Sequence, residues 1–212
     1  MKKRVAVIDY GMGNLHSVAS AVTHVAPDCA VDVTADSATI LAADHVIFPG
    51  VGAMGDCMAE IRRLGLHETV VSAVQQKQPL LSVCIGMQAL MTHSEESGGV
   101  AGLGLFDAEV RRFQGDVFEQ HRLKVPHMGW NTVEKCRDHA IWQGIENNTR
   151  FYFVHSYYVA LDDDAVIGRC EYGMPFAAMV ARDNVVAVQF HPEKSHNAGL
   201  QLLKNFLAWN GQ

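Results

Sequence analysis

Leu80–Gln88, with the sequence LLSVCIGMQ, joins a buried strand to a reactive side chain. The run Leu80–Val83 follows Pro79 and is typical of a short strand covered on both faces. Gly86 and the residues after it indicate a tight turn into a helix. Such an elbow presents its side chain at the carboxyl end of a sheet, where a helix N-terminus favours a thiolate. The stretch therefore predicts that Cys84 is a nucleophile, with a buried structural cysteine as the alternative if no base accompanies it.

The composition is that of an ordinary globular protein. The 212 residues are 49% hydrophobic and 19% charged, which is enough chain for a substantial core and excludes disordered and fibrous classes. The formal net charge is −6 and the longest basic run is Lys2-Lys3-Arg4, so we expect no nucleic-acid and no membrane partner. The apolar run that ends before Asp9 is too short for a signal peptide. Five cysteines without CxxC spacing favour a reducing, cytoplasmic location.

Strands and helices alternate through the first half of the chain. Short apolar strands are predicted at Val5–Asp9, Val31–Val33 and His45–Phe48, with helices between them, and the strand before Cys84 is the fourth. Such alternation predicts a parallel sheet with helices on both faces. Ligands of these sheets bind at the carboxyl ends of the strands.

The second half is predicted to be richer in strands. We expect a loop over Ser94–Gly104, and we expect Gly129–Asn131 to interrupt the strands around Val125 and Val133. The later predicted elements are an aromatic strand over Phe151–Val159, a hairpin around Gly173, a buried strand over Val185–Phe190 and a terminal helix over Asn197–Trp209. The predicted fold class is α/β, a mostly parallel twisted sheet flanked by helices with a β-rich C-terminal half, in one domain spanning residues 1–212.

A histidine and a carboxylate follow the last predicted strand. His191 and Glu193 lie at its carboxyl end, as Cys84 does at the end of the fourth strand, so all three open on the same crevice. An imidazole can take the thiol proton and deliver one to a leaving amine, while a carboxylate fixes its tautomer. The sequence therefore predicts a catalytic triad of Cys84, His191 and Glu193.

A glycine-rich segment follows the third predicted strand. Gly50–Gly55 formally matches GxGxxG, but no acidic residue lies near Val74–Lys77 to bind a ribose, which argues against a dinucleotide site. The segment is better suited to offer backbone N–H groups to an oxyanion. His191, Glu193 and His196 lack the further ligands of a zinc site. We therefore expect no cofactor and no metal.

These motifs together resemble those of the class I glutamine amidotransferases, whose nucleophile motif is GxCxGxQ and whose distal motif is HPE. The resemblance covers nearly the whole chain and implies their fold. Ser82 stands where the first motif glycine usually lies, and its small side chain should preserve the elbow. Pro49–Ala53, Ser94–Leu105 and Val125–Asn131, which contains PHMGWN, look more specifically like the glutaminase subunits of imidazole glycerol phosphate synthase.

The resemblance also implies roles for individual residues. Cys84 would be the nucleophile, His191 its base and Glu193 the group that orients the base. The positions that match contacts to bound glutamine are Gly50, Gly52, Gln88, Ser156 and Tyr157. The amides of Val51 and Ile85 would form the oxyanion hole. The candidates for contact with a partner are Asn14, Trp130, Tyr152 and Lys194.

The implied activity is hydrolysis of L-glutamine to glutamate and ammonia. By the resemblance, the ammonia passes to a cyclase subunit of barrel fold in a heterodimer, which makes imidazole glycerol phosphate for histidine biosynthesis. Two alternatives remain open from the residues. One is the amidotransferase subunit of another synthase, such as the pyridoxal phosphate synthase, which the copurifying partner would reveal. The other is a non-catalytic docking module, against which the intact triad argues.

Overall fold

A thirteen-stranded mixed sheet forms the centre of the computed structural model, which describes residues 2–212. The strands are β1 (Arg4–Ile8), β2 (Ala30–Thr34), β3 (His45–Gly50), β4 (Leu80–Cys84), β5 (Met91–Ser94), β6 (Val100–Ala101), β7 (Phe106–Arg112), β8 (His127–Lys135), β9 (Thr149–His155), β10 (Tyr157–Ala160), β11 (Val166–Glu171), β12 (Pro175–Arg182) and β13 (Val185–Val188). The helices are α1 (Leu15–Val25), α2 (Ser37–Leu41), α3 (Met54–Arg63), α4 (Leu66–Gln75), α5 (Ile85–Ala89), α6 (Asp116–Gln120) and α7 (His196–Ala208).

The sheet has a parallel half and a largely antiparallel half. Strands β2, β1, β3, β4 and β13 pair in that order and run parallel. The sheet continues through β12, β10, β7, β5 and β6, while β11, β8 and β9 branch from β12. All residues of β3, β4 and β13 are buried, because helices cover parallel strands on both faces. The predicted α/β architecture with a β-rich second half is confirmed.

Helix packing closes this core. The helix α1 packs against α7, and α4 packs against both α2 and α3. The predicted hairpin around Gly173 is present as the antiparallel pair β11 and β12. No helix within residues 2–212 is long and apolar enough to cross a membrane.

Two predictions about the second half are wrong. Gly129–Asn131 does not interrupt a strand, because β8 runs through it and pairs residue by residue with β9; Gly129 adopts φ +135° within the strand. The predicted loop Ser94–Gly104 contains a 3-10 turn at Glu96–Gly98, and the strand β6, which pairs with β5. Neither strand has a clear apolar alternation in the sequence, because Gly129 lies within β8 and β6 is only two residues long.

Two predicted boundaries also differ. The aromatic run Phe151–Val159 is broken at Ser156, because β9 pairs with β8 whereas β10 pairs with β7 and β12. The last strand ends at Val188 rather than at Phe190.

A pair of neutral histidines lies between the ribbon of β8 and β9 and the main sheet. His127 Nδ1 and His155 Nε2 are 3.0 Å apart, and both side chains are buried. Burial lowers the pKa of His127 to about 4. Burial also lowers the pKa of His155 to about 3, helped by the neighbouring charges of His127 and His191 and opposed by the hydrogen bond to the Tyr157 carbonyl.

We expect this pair to make the fold sensitive to mild acid. Above pH 6.5 the two imidazoles are neutral in both the folded and the unfolded chain, so their contribution to stability is complete. As the pH falls from 6.5 toward about 4, only the unfolded chain takes up protons, and the free energy of unfolding decreases. Urea unfolding at about pH 7.5 and about pH 5.5 measures the loss.

The matched variants are His155→Gln and His24→Gln, since His24 is exposed on α1. His155→Gln should be less stable at neutral pH but should lose less stability on acidification than the wild type. His24→Gln should behave as the wild type does. An identical pH dependence in all three proteins would contradict the assignment.

Candidate active site

Two neighbouring parallel strands bring the predicted catalytic residues to one edge of the sheet. Strands β4 and β13 are in register, with Val83 beside Val188. Cys84 is the last residue of β4. After β13 the chain reaches His191 and enters a 3-10 turn, Pro192–Lys194. The thiol and the imidazole therefore lie at the carboxyl ends of adjacent strands.

Cys84 forms the predicted elbow in a rare backbone conformation. Its φ is +55° and its ψ is −110°, and α5 begins at the next residue. A non-glycine residue held in such a region costs on the order of 1–3 kcal/mol. The helix after it is short, because Met91 already belongs to β5. Strand and helix thus fix the position of the sulfur at the expense of local strain.

Two glycines allow the glycine-rich segment to lie directly against this elbow. Gly50 is the register partner of Cys84. A Cβ on Gly50 would lie 2.8 Å from the Gly86 nitrogen and 2.6 Å from the Tyr10 hydroxyl. A Cβ on Gly86 would lie 2.1 Å from the Phe48 carbonyl oxygen. Any side chain at either position would push the segment away from the nucleophile.

Ser82 leaves the strand intact where the motif usually has glycine. It is fully buried in β4 and pairs with Phe48 on one side and Ala187 on the other. Its hydroxyl has no hydrogen-bond partner within residues 2–212. The departure from the motif therefore does not disturb the pairing that positions Cys84.

His191 has a carboxylate on one side and the thiol on the other. Its Nδ1 lies 2.9 Å from Glu193 Oε1, and the two side chains are only 3% and 2% exposed. Burial lowers the pKa of His191, but Cys84 and Glu193 together outweigh it and raise the pKa to about 10. Its Nε2 has no hydrogen-bond partner within residues 2–212, and the Cys84 thiol lies close to the imidazole.

Hydrogen bonds to the backbone of β9 hold the His191 turn on both sides. The His191 N–H donates to the Tyr152 carbonyl at 2.9 Å. The Tyr152 N–H donates to Ser195 Oγ at 3.0 Å, and that hydroxyl donates to the His191 carbonyl at 2.6 Å. Tyr152, one of the predicted partner-facing residues, thereby anchors the imidazole through its backbone.

A cleft of about 570 Å³ opens above Cys84, within the range of small-molecule sites. Most of the residues predicted to contact substrate or form the oxyanion hole line it. They are Val51, Gly52, Cys84, Ile85, Gln88, Ser156, Tyr157 and His191. Asn14 and Lys194 also line the cleft, whereas Gly50 and Glu193 lie behind its wall. The structure thus gathers the predicted site residues except the aromatic pair Trp130 and Tyr152.

Trp130 and Tyr152 lie instead on the outer surface of the ribbon formed by β8 and β9. Trp130 is 41% exposed and stacks on His196 with ring centroids 5.0 Å apart. Its centroid lies 6.0 Å from that of Tyr152. Neighbouring Met128 is 63% exposed. We call the surface formed by Met128, Trp130, Tyr152 and His196 the aromatic surface.

The glycine-rich segment is held on either side of its central peptide. The Tyr10 hydroxyl donates to the Pro49 carbonyl at 2.9 Å. The Cys57 thiol donates to the Val51 carbonyl at 3.3 Å. Burial raises the pKa of Cys57 to about 11, so this thiol stays protonated and can donate. These side chains fix the peptides that flank Gly50–Val51.

Two polar residues of the site were not predicted. Glu96 lines the cleft, and its Oε2 accepts the Met54 N–H at 2.9 Å. Gln189 is fully buried beneath the cleft. Nothing in the sequence around Glu96 distinguishes it from a loop carboxylate, whereas a lone amide in the apolar run before His191 was a usable signal. No group of three histidine, cysteine, aspartate or glutamate side chains among the described residues could hold a metal ion.

Comparisons with known proteins agree with this geometry. The family model for glutamine amidotransferase class-I matches residues 6–209. The chain is 57% identical to imidazole glycerol phosphate synthase subunit HisH of Pseudomonas putida, over 98% of both chains. It is 55% identical to subunit HisH 1 of Pseudomonas aeruginosa over the full length of both.

Solved structures show the same fold at low sequence identity. A crystal structure of a glutamine amidotransferase aligns with a TM-score of 0.72 at 19% identity, covering 98% of this chain and 99% of that one. The structure of PurLQS from Thermotoga maritima aligns with a TM-score of 0.70 at 16% identity, covering 98% and 99%. The chain therefore belongs to the class I glutamine amidotransferases and, among them, to the HisH subunits of imidazole glycerol phosphate synthase.

Proposed function

We propose that the cleft hydrolyses the side-chain amide of L-glutamine through Cys84, His191 and Glu193. The observation that carries the proposal is the buried contact of 2.9 Å between His191 Nδ1 and Glu193 Oε1, beside the strained Cys84. A thiol, an imidazole and a carboxylate in this order can act as nucleophile, proton carrier and orienting group.

In this mechanism His191 takes the thiol proton as the Cys84 sulfur attacks the amide carbon of glutamine. The carbon–nitrogen bond breaks as His191 gives a proton to the leaving ammonia, and a γ-glutamyl thioester remains. Water then loses a proton to the same imidazole and attacks the thioester, which releases glutamate and restores the thiol. Glu193 stabilises the imidazolium, in line with the raised pKa of His191.

Acceptor groups in the cleft suit the α-ammonium of glutamine. The Glu96 carboxylate lines the cleft, and the buried Gln88 Oε1 has no partner within residues 2–212. Bonds from an ammonium to such acceptors are charge-assisted. The further proposed contacts to glutamine are Gly50, Gly52, Ser156 and Tyr157.

We assign the oxyanion hole to the amides of Val51 and Ile85. Tyr10 and Cys57 hold the carbonyls of Pro49 and Val51, so the Gly50–Val51 peptide between them is the part of the segment that can rotate. Rotation would exchange a carbonyl for an N–H at the oxyanion, and one such donor accounts for about 10² to 10³ in rate. This peptide is our candidate for the point at which a partner controls hydrolysis.

We infer that the partner is the cyclase subunit of imidazole glycerol phosphate synthase, of barrel fold, joined in a heterodimer that receives the ammonia. The aromatic surface supports this, because exposed Trp and Met side chains are typical of interface anchors. Asn14 and Lys194, which line the cleft, are proposed to contact the partner near its mouth. We propose that residues 1–212 act as one domain in the reducing cytoplasm, which suits five free thiols.

Cys84→Ala should abolish glutamine-dependent synthesis by the complex and leave its reaction with free ammonia intact, because only the first requires the thioester. Steady-state synthesis from each nitrogen source measures the two activities. Cys136→Ala, at an exposed thiol, is the control and should keep both. Equal loss of both activities in Cys84→Ala would mean that the residue is structural.

His191→Asn should lower the turnover number for glutamate release by about 10² to 10⁴ with little change in KM, because the imidazole acts on protons that move in the transition state. Glu193→Gln should lower it less, since the carboxylate only orients and stabilises the imidazole. His24→Asn is the control. An unchanged turnover number in His191→Asn refutes the role.

Trp130→Ala should weaken binding of the cyclase subunit by about tenfold or more, as expected for an exposed aromatic anchor that becomes buried in the complex. Titration calorimetry of the purified subunits gives the dissociation constant. Val33→Ala removes a similarly exposed apolar side chain from β2 and should leave binding unchanged. Equal affinities for both variants would show that the aromatic surface is not part of the interface.

A further inference from the structure

Gln189 is a buried amide that lies between the substrate cleft and the nucleophile. It directly follows β13, is fully buried, and its backbone N–H donates to the Ala178 carbonyl at 2.9 Å. Its side chain contacts two groups of the site, Gln88 and Cys84. The mechanism above gives Gln189 no role.

The orientation of both amides follows from one fixed acceptor. The Tyr157 carbonyl can only accept, so the Gln88 atom 3.0 Å from it is Nε2. The second hydrogen of that nitrogen points to Gln189 at 2.9 Å and requires an oxygen there. Gln189 Oε1 therefore faces Gln88, and Gln189 Nε2 faces the Cys84 sulfur at 3.7 Å. Flipping either amide group would place two donors or two acceptors against each other, with no hydrogen bond between them.

The histidine pair completes the set of bonds at the same carbonyl. His155 Nδ1 lies 2.7 Å from the Tyr157 oxygen and must donate to it. His155 Nε2 then accepts from His127 Nδ1 at 3.0 Å, and His127 Nε2 accepts from Asn131 Nδ2 at 3.3 Å. Each donor and acceptor in this series of hydrogen bonds has one consistent proton assignment. The Tyr157 carbonyl is therefore held in place for Gln88.

Two consequences follow at the substrate side and at the sulfur. Gln88 has used both of its donors, so its unpartnered Oε1, on a side chain only 1% exposed, is left to accept from a ligand in the cleft. The sulfur receives an N–H from Gln189 in addition to its contact with His191. A donor to sulfur stabilises a thiolate more than a thiol, because bonds to charged groups are stronger.

We propose that Gln189 is a positioning residue with two functions: it fixes the amide of Gln88 for substrate recognition and donates to the Cys84 thiolate. The proposal rests on the proposed glutaminase function. Gln189→Glu keeps the oxygen that faces Gln88 but places a carboxylate oxygen against the sulfur. Gln189→Met keeps the volume and loses both contacts. The two variants therefore separate the two functions.

The experiment measures alkylation and turnover in the same proteins. Iodoacetamide is applied at neutral pH, and the rate of Cys84 modification is followed by peptide mass spectrometry. Glutamate release is measured with the cyclase subunit and its nucleotide ligand. Gln76→Glu, at an exposed position, controls for the added charge. Alkylation does not depend on turnover, so it reports on the sulfur even if glutamine is not the substrate.

We expect Gln189→Glu to slow Cys84 alkylation and to lower kcat by about tenfold each, with KM within about twofold of the wild type. Gln189→Met should lower both rates similarly and also raise KM about fivefold, because Gln88 is released. Wild-type alkylation and kcat in either folded variant would overturn the proposal. Absence of glutamate release by the wild type, with alkylation still slowed in the variants, would refute the glutaminase function and leave the sulfur contact standing.

Discussion

Hydrogen bonds between β4 and β13 hold two distant parts of the chain at the same edge of the sheet. Parallel strands end on the same side, so the residues that follow them meet in one crevice. Since side chains alternate along a strand, a slip of one residue between β4 and β13 would turn Cys84 to the opposite face. Every residue in both strands is buried, so such a slip would also disrupt close packing on both faces of the sheet. The triad, the cleft and the Gln189 contacts all depend on this pairing.

The ribbon of β8 and β9 links the outer surface to the same edge. Its exposed side carries Trp130, while the Tyr152 backbone holds both ends of the His191 turn. The inner side carries His127 and His155, which support the Tyr157 carbonyl beneath the cleft. A displacement of β9 therefore acts directly on the imidazole and on the cleft floor, without a long relay of side chains between the two surfaces.

The parts of the fold that sequence predicts are those with a local apolar period. The strands around Val5 and Val83 and the helix beginning at Leu15 follow from such periods. The continuous strand through Gly129 does not, because its backbone partners lie in β9, and the strand Val100–Ala101 is too short to show a period. Within the site, placement at strand ends predicted Cys84, His191 and Glu193, and the family resemblance implied the other residues around Cys84. Glu96 has no local signal because its contact is with Met54, far along the chain, whereas Gln189 is marked in the sequence as a lone amide in an apolar run.

The backbone at Cys84 has a consequence for how such a chain changes over generations. Glycine occupies φ near +55° without the steric cost that cysteine bears there. In a duplicated copy released from the need for catalysis, exchange of Cys84 for glycine would relieve strain at the moment it removes the nucleophile. Relief of backbone strain and loss of the nucleophile then occur in the same substitution. The backbone at this elbow favours glycine, and the nucleophile occupies it at the cost of local strain.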